Sequence, residues 1–65
     1  MPMSGKEMIK LFLAEGYTCE RQNGSHVYMK KKGYESVSIP NHKELATGTE
    51  AYLRKILKLQ RKVQS

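Results

Sequence analysis

The sequence predicts an α+β domain of order αβββα, a three-stranded antiparallel meander with two helices on one face. Three observations predict it. Two stretches with apolar residues at helical spacing open and close the chain, each preceded by a Ser/Thr-x-x-Glu signal. Between them lie three short runs that alternate in polarity as strands do. Asn23-Gly24, Gly33 and Pro40 separate or end those runs with residues suited to turns.

Ser4-Gly5-Lys6-Glu7 has capping-box spacing, in which the Ser and Glu side chains each satisfy the other's backbone N–H. Met3 and Met8 stand where a hydrophobic staple would cross that cap. Behind it, Ile9, Phe12 and Leu13 recur at i, i+3 and i+4, with Met8 beside them, as one buried helix face. Gly16 then follows as the residue that ends the helix.

Tyr17 to Gln22 reads as the first strand, with Tyr17 and Cys19 on one face and Thr18 and Glu20 on the other. Cys19 is expected as a small buried residue. Asn23-Gly24 is the strongest two-residue hairpin signal, because a type I′ turn needs positive φ at both central positions. The second strand runs from Ser25 to about Lys31, Val27 and Met29 pointing inward and His26, Tyr28 and Lys30 toward solvent. Gly33 turns the chain into a third strand, Glu35 to Ile39, with Val37 and Ile39 inward, and Pro40 ends it.

Asn41 to Ala46 is a loop. Thr47-Gly48-Thr49-Glu50 repeats the capping spacing and opens the second helix. Tyr52, Leu53, Ile56, Leu57 and Val63 form its apolar stripe, Arg54, Lys58, Arg61 and Lys62 its far side, and Glu50 and Arg54 a favourable i, i+4 pair. Helices that each carry one stripe, beside a sheet with one apolar face, bury all three surfaces at once in two layers. This is the arrangement of a double-stranded-RNA-binding domain.

At 65 residues the chain makes one domain, residues 1–65, with a small core. One cysteine allows no internal disulfide, so a reducing, cytoplasmic setting is expected. No apolar run approaches the roughly 20 residues of a membrane span. The narrow helix stripes and the lack of Trp also argue against membrane binding. Twelve Lys and Arg against six acidic residues give a net charge of +6, which favours a polyanion or an acidic protein face.

Candidate chemistry gathers around His26. A neutral imidazole at a defined strand end beside positive charge suits an enzyme acting on a phosphodiester near neutral pH. Gly24 and Ser25 offer backbone donors beside it, and Lys30, Lys31 and Lys32 offer charge to phosphates. Tyr28 suits base stacking or cross-strand packing. Arg21, Lys6 and Lys10 are weaker phosphate candidates. A hairpin histidine with no chemistry is the competing reading of His26, and a loop-bonding role competes with an RNA contact for His42. No close pair of Cys or His and no carboxylate cluster suggests a metal, so neither metal nor cofactor is expected. No helix-turn-helix is visible, so direct DNA binding is not expected.

Gly24-Ser25-His26, Ile39-Pro40-x-His42, Lys43-Glu44-Leu45 and Gly48-Thr49 leading into a Leu-Arg-x-Ile-Leu helix resemble, in that order and spacing, the HicA family of toxin–antitoxin toxins. The likeness runs from about Gly5 to Leu57. Glu50-Ala51-Tyr52 and the basic tail from Gln60 to Ser65 depart from the family pattern. The resemblance implies an αβββα fold, a ribonuclease acting on mRNA with His26 as its catalytic histidine, and a HicB-type antitoxin that covers it. A non-catalytic RNA-binding or protein-interaction module of the same fold is the alternative.

Overall fold

Helix α1 (Gly5–Ala14) starts in the capping box that its sequence promises. Ser4 Oγ accepts from Glu7 N–H at 3.1 Å, and Glu7 Oε1 accepts from Ser4 N–H at 3.0 Å. These bonds hold the Glu7 carboxyl below its ordinary range, since both favour the charged form. The far end closes as a Schellman motif. Gly16 N–H donates to the Leu13 carbonyl and Tyr17 N–H to that of Phe12, while Gly16 takes φ +98°. Phe12 and Tyr17 then meet edge-to-face, ring centroids 4.9 Å apart, as the apolar contact of that motif. The computed structural model describes residues 3–64, with side chains to Leu59.

Strands β1 (Thr18–Asn23), β2 (His26–Lys30) and β3 (Val37–Pro40) form an antiparallel sheet in the order β1-β2-β3. The fold is therefore the expected αβββα, completed by helix α2 (Thr47–Gln64). The hairpin turn differs by one residue from the reading above. Asn23 pairs with His26, which leaves Gly24-Ser25 as the two-residue loop. Positive φ falls on Gly24 alone, at +63°, the signature of a II′ turn with Gly first rather than of I′. His26 is thereby the first residue of β2. The third strand starts at Val37 instead of Glu35, and Pro40 belongs to it, opposite His26. An edge strand tolerates that missing N–H.

The core comprises Met8, Phe12, Tyr17, Val27, Met29, Val37, Ile39, Leu45, Leu53 and Leu57, with Met3, Ile9, Leu11 and Ile56 against it. The buried residues of the sheet come from β2 and β3, whereas every residue of β1 is exposed. Cys19 is accordingly exposed and not the expected core residue. It pairs with buried Met29, yet it lies on an edge strand that contributes nothing to the core. The register of β1 also slips between Cys19 and Arg21, a bulge of the kind that twists edge strands. Leu13 and Tyr52, placed on apolar stripes by their spacing, are 48% and 63% exposed. Each helix buries a narrower arc than that spacing suggests. Leu45, from the loop, fills core space instead. The stripe position of Val63 and the positions of Arg61 and Lys62 lie outside the described side chains.

The second capping box does not form as the spacing implies. Thr47 lies inside α2, and Glu50 N–H donates to the Ala46 carbonyl at 2.9 Å. The Glu50 carboxylate accepts from Met3 N–H at 3.1 Å and from Arg54 Nε at 2.9 Å. A long-range tie to the N-terminal segment has replaced a local cap. Both partners favour the carboxylate, Met3 N–H most, and hold Glu50 below its ordinary value of 4.5.

The bonded form of Glu50 is the charged one, so its stabilisation is complete above pH 4.5 and fades as pH falls through the lowered folded-state value. Glu50→Gln should lower the melting temperature at neutral pH, and the difference should close in stronger acid; a constant difference across that range would contradict the tie. The hydroxyl of Tyr17 is buried with no hydrogen-bond partner among the described residues, and burial raises its pKa above the ordinary 10.0. Leaving a buried donor unpaired costs about 1–3 kcal/mol. Tyr17→Phe should therefore match or exceed the parent in urea denaturation, and a clear loss of stability would reveal a partner for that hydroxyl.

Candidate active site

The II′ turn projects Ser25 toward the chain that leaves β3. Asn41 N–H donates to the Ser25 carbonyl at 2.6 Å, extending the β2–β3 pairing past His26 and Pro40. One residue on, His42 Nε2 and Ser25 Oγ share a hydrogen bond of 3.2 Å. The two sequence motifs that contain histidine thus meet at one end of the sheet. His26 follows Ser25 in the chain, and His42 is bonded to Ser25 through space. Both histidines are exposed.

The loop carrying His42 is held from below by the start of α1. Gly5 N–H donates to the His42 carbonyl at 2.9 Å, and Leu45 N–H donates to that of Met3 at 2.8 Å. Gly5 is buried there. A Cβ on it would run into the Pro40 carbonyl oxygen and lie 2.7 Å from Asn41 Cα. Only glycine permits this approach of helix to loop. Ser4, Lys6, Asn41, His42 and Lys43 line an open hollow of about 310 Å³ where the two segments meet.

The lysine run stands elsewhere than its proximity in sequence suggests. His26 and Lys30 begin and end β2, so four residues, or about 13 Å at the rise of a strand, separate them. Lys30 shares the open face with His26 and Tyr28, and its ammonium lies 3.7 Å from Glu20 in an exposed pair of little strength. Lys31 points the other way. Its Nζ donates to the Glu15 carbonyl at 2.7 Å, at the C-terminal end of α1, and sits 4.7 Å from the Tyr34 ring centroid. It places a positive charge at the C-terminal end of α1, where the helix dipole favours one, a structural role. Lys32 is exposed in the turn that follows. Tyr28 is half-buried, with the Arg21 guanidinium 4.2 Å from its ring centroid. Arg21 is its cross-strand neighbour.

A family model described as the HicA toxin of bacterial toxin–antitoxin systems matches residues 5–59. The chain belongs to the HicA toxin family. A solved structure described as a toxin–antitoxin complex from Streptococcus pneumoniae contains a chain 41% identical to this one, with a TM-score of 0.75. The match covers 88% of this chain and 98% of that chain. No curated protein matches. The matched range begins at Gly5, the glycine that seats α1 against the histidine loop, and takes in both histidine motifs of this HicA-family chain.

Sequence reasoning found His26, Ser25 and His42 singly but not the bond between the last two. Their separation of seventeen residues carries no periodic signal, and only the β2–β3 register brings them together. Lys43 gives no charge signal of its own in the sequence, because it lies in a loop next to Glu44. Among the described residues no three His, Cys, Asp or Glu side chains converge as metal ligands, and no helix is long and apolar enough to cross a membrane.

Crowding at Gly5 gives a direct check on how this end of the molecule is held. Overpacking typically costs about 1–3 kcal/mol. Gly5→Ala should lose that much in urea denaturation and should shift the NMR signals of His42; an unchanged spectrum would mean that the loop is positioned by something else.

Proposed function

We propose that this HicA-family toxin cleaves mRNA without a metal ion, using His26 as the general acid–base group. The observation that carries this is an exposed imidazole at the mouth of β2, in the Gly-Ser-His motif, beside a turn whose geometry depends on Gly24. His26 takes the proton from a ribose 2′-OH, and that oxygen forms a bond to the adjacent phosphorus. The phosphorus–O5′ bond breaks, the O5′ leaving group takes a proton from water, and the resulting hydroxide takes back the proton held by the His26 imidazolium. The products are a 2′,3′-cyclic phosphate and a 5′-hydroxyl. Acid–base assistance of this kind contributes about 10²–10⁴-fold. Backbone donors around Gly24 and Ser25 supply charge stabilisation of the phosphorane.

The open face of β2 suits the rest of the strand. Tyr28 and Lys30 lie on the same side as His26, for base stacking and a distant phosphate contact, with Lys32 in the following turn. Lys31, held at the end of α1, is left out of that surface. The partner of this toxin is a HicB-type antitoxin whose acidic face covers His26 and blocks access by transcripts in the cytoplasm. The +6 charge of the chain supports such a pairing, and a marginal 65-residue fold gains stability from any partner that binds its native form.

Incubating the purified protein with a labelled transcript in EDTA tests the reaction. The parent should yield cyclic-phosphate ends, and His26→Ala should reduce the rate by about 10²-fold or more with no change in melting temperature. Full cleavage by that variant would remove His26 from the chemistry. Binding without cleavage by the parent would leave a non-catalytic RNA-binding module.

A further inference from the structure

The hollow between the first turn of α1 and the β3–α2 loop has no part in the proton transfer described above. Its lining consists of Ser4, Lys6, Asn41, His42 and Lys43, with two ammonium groups and no acidic residue. The carboxylate of Glu7, next to Lys6 in sequence, is turned back onto Ser4 N–H by the capping box. Every lining side chain can donate a hydrogen bond, and Lys6, Asn41, His42 and Lys43 are exposed. The hollow therefore suits an anion with several acceptor oxygens.

Its position narrows the choice of anion. His42 lines the hollow and is bonded to Ser25, the residue before His26. The hollow therefore lies at the end of the sheet where β2 begins. Loop and helix are fastened to each other by the Gly5–His42 and Leu45–Met3 bonds, so the two lysines project from a braced frame. We propose that this hollow binds a backbone phosphate of single-stranded RNA. Lys6 and Lys43 neutralise it, and His42, oriented by Ser25, donates to a phosphate oxygen. The inference rests on RNA being the substrate but not on His26 performing the chemistry.

The test is binding of a 2′-O-methylated RNA octamer, which lacks the 2′-OH nucleophile and cannot be cut by that route, across a range of salt concentrations. Lys6→Gln/Lys43→Gln should weaken binding by at least about tenfold at low salt. It should also reduce the slope of log K against log salt by about 0.7 to 1. Lys55→Gln/Lys58→Gln removes the same charge from exposed positions on α2 and should change neither quantity appreciably. Lys6→Arg/Lys43→Arg should restore binding, and melting curves of all variants establish that the fold is intact. Equal losses in the two Gln pairs, or no loss in the first, would overturn the proposal. So would unchanged octamer binding combined with weakened binding of polyglutamate, which would make the hollow a contact for an acidic protein. Failure of the parent to cleave RNA would refute the nuclease reading and leave these binding outcomes as decisive as before.

Discussion

The seam between residues 3–5 and the loop after β3 is the constraint on which this structure depends. Backbone bonds join Gly5 to His42 and Leu45 to Met3, and the Glu50 carboxylate closes the seam on Met3 N–H. A 65-residue chain has little core with which to hold a loop in place. Here polar backbone groups, satisfied in pairs, hold it together with the buried side chain of Leu45. The absence of a side chain on Gly5 is what lets helix and loop approach closely enough to make those bonds.

The same economy explains the sheet. Both helices contribute to a core that takes its sheet residues from β2 and β3, and β1 is carried as an exposed edge. Its attachment comes from pairing with β2, from the Schellman turn before it and from Tyr17, whose ring is buried against Phe12. An edge strand with a bulge and with polar residues along its length, from Thr18 to Asn23, is poorly suited to pair with another chain. Cys19 is exposed as a consequence of this arrangement.

Charge is distributed by role and not by density. The densest run of lysines divides three ways: Lys30 toward the open face near Glu20, Lys31 onto the end of α1, and Lys32 into a turn. Two lysines far apart in sequence, Lys6 and Lys43, line one hollow together with His42. A helix start and a loop supply them, and neither segment stands out by composition. Electrostatic reading of the chain as a string therefore locates total charge well and its placement poorly.

Local signals determined the elements. The Ser4–Glu7 box, Gly16, and the alternation of Val27 and Met29 each act within a few residues, and each appears in the structure as the spacing implies. The order αβββα and the outward face of His26, Tyr28 and Lys30 were legible for the same reason. The Glu50–Arg54 pair was legible too. Tertiary structure alone decided that Glu50 also takes Met3 N–H, that Lys31 bonds to the end of α1, that Cys19, Leu13 and Tyr52 are exposed, and that Ser25 bonds to His42. Those outcomes are competitions between a local partner and a distant one. The winner is set by the register of β2 on β3 and by the approach of α1 at Gly5, which no window of sequence contains.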